Sequence, residues 1–130
     1  AGAVAASTFD QSWDHPAKTA VDDAMAAGGF EPPAWYAAIQ TTNEQVKDAG
    51  ELARLAHAAG FEAVDVTRVE VVTGIDSPSA MVDWRWGMAH LAPFVAGLDA
   101  RTREHLRARA EEAVAGLPPV VVPMLALSAS

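Results

Sequence analysis

The sequence predicts an α/β fold in which three β segments alternate with groups of helices. Three observations lead there. Apolar spacing switches between a period of two and a period near 3.6 along the chain, glycine, proline and capping residues punctuate nearly every switch, and the composition (51% apolar, 20% charged) is that of a packed globular protein. At 130 residues the chain is expected to form a single domain, residues 1–130.

The first β segment is Ala3 to Phe9, "AVAASTF", small and β-prone residues ending in the polar turn "DQSWDHP". Pro16 suits the opening of a helix, with Ala17, Ala20, Val21, Ala24 and Met25 as its apolar stripe and Gly28-Gly29 as its stop. "FEPPAWYAAIQ" follows, its prolines breaking regularity before one or two helical turns over Ala34 to Gln40. The clearest helix is "DAGELARLAHAAGF". Asp48 and Glu51 stand at capping-box spacing, Leu52, Leu55, Ala56 and Ala59 recur along one face, and Gly60 occupies the left-handed C-terminal position.

The second β segment spans Ala63 to Val72. Val64 and Val66 share one parity and Val69 and Val71 the other, which predicts a bulge or sharp twist near Thr67-Arg68. Ser77 and Pro78 then open a helix with Met81, Trp84 and Met88 along one side and Pro93 at its end. Asp99 caps a further helix whose stripe is Leu106, Ala110, Ala113 and Val114. The last segment, Val120 to Ala129, contains Pro123, which predicts a bulge or an unpaired amide.

Charge and composition exclude several function classes. Seventeen acids against nine Lys and Arg give a net charge of −8, which repels phosphates, so neither nucleic acid nor a membrane surface is an expected partner. The absence of cysteine removes disulfides, thiolate metal sites and cysteine nucleophiles, and is compatible with the cytoplasmic location expected for the chain. No histidine pair stands at metal-binding spacing, so no metal is expected. The serines lack a nucleophile-elbow setting. A start within an apolar, strand-like run, without Met, suggests a piece of something longer.

"VAASTF", "ELARLAHAAGFEAVDV" and the terminal "VPMLALSA" resemble, in that order, the C-terminal half of a class I S-adenosylmethionine-dependent methyltransferase of the small-molecule type. The resemblance implies a truncated Rossmann-like methyltransferase half: a three-stranded mixed sheet, its last strand central and antiparallel, with flanking helices. It implies a helical cap at residues 74–117, inserted between the last two strands over a small, apolar or aromatic acceptor. S-adenosylmethionine is the cofactor so implied for the intact protein. The glycine-rich loop that would hold it has no counterpart here, since "VVTGIDSPSA" has one glycine, so the cofactor-binding residues are unknown and the piece is expected to be inactive alone.

Methyl transfer asks a protein mainly to position an acceptor in a water-poor pocket, with one or two polar groups to orient or deprotonate it. Large, adaptable side chains at the cap suit a flat ligand. The substrate-binding candidates are therefore Phe9, Trp13, Met81, Trp84, Trp86, Met88 and His90, each of which could instead be core. His15, after the strand-end turn, is the candidate general base, with helix capping as its other reading. His57 and His105 fall on solvated helix faces. A first strand lacking a neighbour at its other edge would expose unpaired amides, so the isolated piece is expected to form a homodimer. The alternative reading is a non-catalytic α+β module for hydrophobic-ligand binding or dimerisation.

Overall fold

The computed structural model describes residues 2–130. The elements are β1 (Val4–Phe9), α1 (Pro16–Ala27), α2 (Ala34–Asn43), α3 (Ala49–Ala58), β2 (Val64–Ile75), α4 (Pro78–Trp86), α5 (Ala92–Gly97), α6 (Ala100–Ala113) and β3 (Val120–Ala129), with a single 3-10 turn, Glu44–Val46, before α3. They are divided between two compact units. One comprises the chain through Trp13, Ala38–Thr73 and Val121–Ser130, and the other Asp14–Ala37 and Gly74–Val120. The helical insertion expected at residues 74–117 thus falls in the second unit, together with a segment that precedes β2.

The first unit is built on a sheet of order β1-β3-β2. β1 pairs antiparallel with β3 from Val4↔Ala129 to Phe9↔Met124. On the other side Ala63 and Ser130 exchange both backbone hydrogen bonds, at 2.9 and 3.0 Å, the signature of an antiparallel pair. The last strand is therefore central and antiparallel to both neighbours. The expected mixed sheet is corrected to an antiparallel one: β1 and β2 run the same way, but β3 separates them and no parallel ladder forms. The β1 ladder stops beside Pro123, which has no N–H to give, although its carbonyl accepts from the Asp10 N–H at 3.1 Å.

α3 covers one face of this sheet. Ala56, Leu127 and Ala129 are buried there, with Leu52, Phe61, Val64 and Val66 packed around them. The helix starts where the Asp48 carboxylate accepts from the Glu51 N–H at 2.9 Å. It ends where Gly60, at φ +94°, turns the chain so that the Phe61 N–H reaches the Ala56 carbonyl and the phenyl ring folds back onto the helix. In β2 the half-buried alternation of Val64 and Val66 ends at Thr67, and Val69 and Val71 are exposed.

In the second unit α1, α4 and α6 pack on one another. α1 buries Ala17, Val21 and Met25, α6 buries Leu106 and Ala110, and α4 buries Met81, Val82, Arg85 and Trp86. A Cβ added at Gly28 would stand 2.6 Å from Leu106 Cδ2, so glycine is what lets the end of α1 approach α6.

The sequence led us to expect one helix running from Pro78 to Pro93, and that is corrected too. α4 stops at Trp86 with Gly87 as its C-cap, and Pro93 instead lies in the first turn of α5, where its missing N–H costs nothing. The buried side of α4 is Met81, Val82, Arg85 and Trp86, not the row through Trp84 and Met88, both of which are only half-buried.

Candidate functional site

His15 caps α1. Its Nδ1 accepts from the Ala17 N–H at 3.1 Å and its Nε2 lies 3.1 Å from the Pro118 carbonyl oxygen, an arrangement that calls for a neutral ring protonated at Nε2. The side chain is buried and both nitrogens hold backbone groups, so it serves as a brace between the start of α1 and the segment leading into β3.

The expected aromatic and methionine candidates take different positions. Met81 and Trp86 belong to the packed interior, where the Trp86 indole N–H donates to Met25 Sδ at 3.1 Å. Trp84 lies against the Arg85 guanidinium, whose central carbon is 5.4 Å from the ring centroid, and Met88 sits in the turn after α4. His90 is buried, and its ring stacks on Tyr36 at a centroid distance of 3.9 Å and an angle of 15°.

Around His90 the helical unit gathers aromatic rings. Phe30 is 6.3 Å from His90 and meets Phe94 edge-on at 5.5 Å, while Trp35 meets Tyr36 edge-on at 6.0 Å. The segment that follows α1 and the start of α5 thereby border an open cleft of about 270 Å³, lined by Phe30, Trp35, His90 and Phe94 with Pro33 and the carboxylate-bearing Glu31. Of the expected candidates in this unit, His90 alone lines this cleft. Sequence reasoning missed Phe30, Glu31, Trp35 and Phe94. The available signal was the density of aromatics about the two prolines of "FEPPAWY".

Electrostatics favour an uncharged His90. Burial first, and then the nearby Arg85 cation, lower its pKa from the usual 6.5, with Asp22 acting the other way. Arg85 is itself buried and is held by Asp22 through a two-pronged contact, Nη2 lying 2.8 Å from each carboxylate oxygen. Among the described residues no buried side-chain nitrogen or oxygen lacks a partner.

The sheet unit holds Phe9, which is exposed, and Trp13, which is half-buried and follows the β1 end. Between them Asp10 is buried. Its carboxylate accepts from the Ser12 hydroxyl at 2.5 Å and the Ser12 N–H at 3.0 Å, and Arg68 Nε donates to it at 3.0 Å. The Ser12 hydroxyl above all, helped by Arg68, holds the Asp10 carboxyl below its ordinary range despite its burial. A carboxylate so fully engaged is a turn-former and not a free base. Another hollow, about 780 Å³, runs across the strand ends beside Ala3, Ala63, Ser128 and Ser130. Its walls are mostly exposed small residues with no buried polar group turned inward, so the aromatic cleft is the better candidate site.

Neither a family model nor a curated protein matches the chain. Among the described residues no group of three or more acidic or histidine side chains is placed to hold a metal ion, and no helix is long and apolar enough to cross a membrane. Gly74, the one glycine of "VVTGIDSPSA", has φ +76°, and a Cβ on it would meet nothing within 4 Å. Its positive φ is a backbone conformation that glycine adopts readily, near the end of β2.

Proposed function

We propose that the chain is the acceptor-side part of a S-adenosylmethionine-dependent methyltransferase acting on a small, apolar or aromatic metabolite. The observation that carries this reading is the last strand, β3, lying antiparallel between β1 and β2 after a helical excursion. That is the strand order which the resemblance of "VAASTF", "AAGFEAVDV" and "VPMLALSA" implies. The glycine-rich loop that would hold the donor has no counterpart in this sequence, so no step of the transfer is derived from its residues. What this chain contributes is an aromatic cleft that binds and orients an acceptor, with Phe30, Trp35, His90 and Phe94 as its walls. His15 is engaged as a helix cap and is assigned no proton transfer.

The test is to titrate the intact parent protein with S-adenosylmethionine while following tryptophan fluorescence. Saturable binding by the parent, with none by the 130-residue chain alone, is the expected result. No binding by the parent at millimolar donor would sink the reading, in favour of a non-catalytic ligand-binding module.

A homodimer of the isolated chain belongs to the same proposal. β1 ends the sheet order, every residue in it except half-buried Thr8 is exposed, and "VAASTF" carries no charge or proline that would deter a second strand. Sedimentation should show a dimer that Ala5→Lys disperses; a monomer at all concentrations would refute it.

A further inference from the structure

We infer that the aromatic cleft of the helical unit recognises a methylated ammonium group, that is, a small organic cation with no N–H to donate. It assigns a cationic head group to the ligand of the same cleft that the methyltransferase reading gives to the acceptor, and its test does not depend on that reading. Its first support is the rings. Phe30, Trp35 and Phe94 line one cleft of about 270 Å³, and His90, stacked on Tyr36, closes it. Ring faces carry negative potential and attract a soft, weakly hydrated cation, with Trp the strongest of them. Trp35 is 46% exposed. It is the one large apolar side chain of the helical unit so exposed among the described residues, whereas the others so exposed, Val4, Phe9, Ile39, Val69, Val71 and Val72, all belong to the sheet unit.

The second support is charge. Glu31 is the single charged residue of the cleft wall, and no Lys or Arg lines it. The cation that acts on His90, Arg85, is already paired through its two-pronged contact with Asp22. An uncharged His90 leaves the cleft without a competing positive charge. A phosphate or carboxylate ligand would be repelled by Glu31. A methylated ammonium satisfies both features, since it offers apolar methyl groups to the rings and net positive charge to Glu31. The ring-lined walls favour such a head group over a hydrated, N–H-rich ammonium, which would need several acceptors where the wall offers one carboxylate.

The same head group occurs on small metabolites such as choline and on trimethylated lysine side chains, and the test separates these sources. The chain is titrated with choline, with the neutral isostere in which carbon replaces the choline nitrogen, and with a short peptide carrying trimethyllysine, while the Trp35 indole N–H is followed by heteronuclear NMR. Saturable shifts with choline or the peptide, at least about tenfold weaker with the neutral isostere, are expected, because the charge supplies the attraction. Tighter binding of choline assigns the cleft to a small molecule, tighter binding of the peptide to a modified protein, and either order supports the inference. Equal binding of the neutral isostere, or no shift with any ligand, overturns it. Trp35→Ala, at an exposed position, should abolish the choline shifts at Phe94 with the rest of the spectrum retained, and Trp35→Phe should restore part of them. Glu31→Gln should weaken choline and leave the isostere unchanged; weakening of both alike would count against the inference.

Discussion

Helices α1 and α3 end on the same device in two different settings. In each a glycine at positive φ follows the C-cap, its N–H returns to a carbonyl three residues back, and a phenylalanine donates to the one five back, Phe30 to Met25 and Phe61 to Ala56. Phe61 then packs on an aliphatic layer over the sheet, whereas Phe30 enters a group of rings that includes His90 and Phe94. The wider units differ in the same way. The helical unit encloses Met25, Met81, Leu91 and Leu106 together with His15, Arg85 and His90, while the sheet unit leaves Val4, Phe9, Val69, Val71 and Val72 exposed. Local chain chemistry thus fixes how a helix stops, and only the surroundings decide whether its last side chain becomes packing or part of a site. It follows that "AAGF" is the signature of a helix end, so the weight of the family resemblance falls on the strand order.

If stability resides in the helical interior, the largest effect belongs there. Leu106, buried and pressed against Gly28, should cost about 2–5 kcal/mol on truncation to Ala, read as a lower urea midpoint at unchanged slope. Phe9→Ala at the exposed end of β1 should change stability by no more than about 0.5 kcal/mol. A Phe9→Ala cost as large as that of Leu106→Ala, measured at a concentration where the chain is monomeric, would break the comparison and show that the Phe9 ring is packed within the chain.

The ion pairs sharpen the same contrast. Asp22→Ala strands the buried Arg85 cation, and since Asp22 is itself 43% exposed the loss should be about 1–3 kcal/mol, below that of a fully buried pair. Arg68, 49% exposed beside Asp10, should yield about 1 kcal/mol or less on replacement by Ala. Equal losses at Asp22 and Arg68, measured by urea unfolding, would remove the distinction between the two units.

Much of the fold was legible because it is written in short-range chemistry. Asp48, Ser77 and Asp99 cap α3, α4 and α6 as their spacing requires, and β3 has the bounds that its pattern predicts. Two things were not legible. Trp84, Arg85 and Trp86 are consecutive on one helix, and nothing local says that the cation turns inward; the partner that permits it, Asp22, lies on α1, sixty-three residues away. The cleft was hidden for a similar reason. Phe30 and Trp35 meet His90 and Phe94 only through tertiary packing, and a sequence window centred on "MVDWRWGMAHLAPF" sees only half of the ring group.

The two glycines offer a control in which environment is held out. Gly29→Ala and Gly60→Ala each force a Cβ into the left-handed region at φ near +95°, and neither Cβ would meet an atom within 4 Å. Each should therefore lose about 1–2 kcal/mol, by the same amount in both units. A clear difference in melting temperature between the two variants would show that the shared ending is not energetically local.

The smallest effect is a pH dependence confined to the helical unit. His90 has a lowered pKa because burial and Arg85 disfavour its cation, but Asp22 offsets part of this, which limits the size of the effect. Below the ordinary value of 6.5 the unfolded chain takes up a proton that the folded chain still refuses, so it binds more protons than the native state and stability falls. The contribution is fully present above pH 6.5 and is lost as the pH drops from there to the folded pKa. His90→Gln should flatten the unfolding free energy over that window. Asp22→Ala removes the one cause that favours the cation and should steepen it. Asp10 and Asp99, whose carboxyls sit below their usual 3.8, should contribute only under still more acid conditions. A wild-type profile that is flat from pH 6.5 to 4.5, or one unchanged by His90→Gln, would place the proton elsewhere and detach the imidazole from the ring group that defines the cleft.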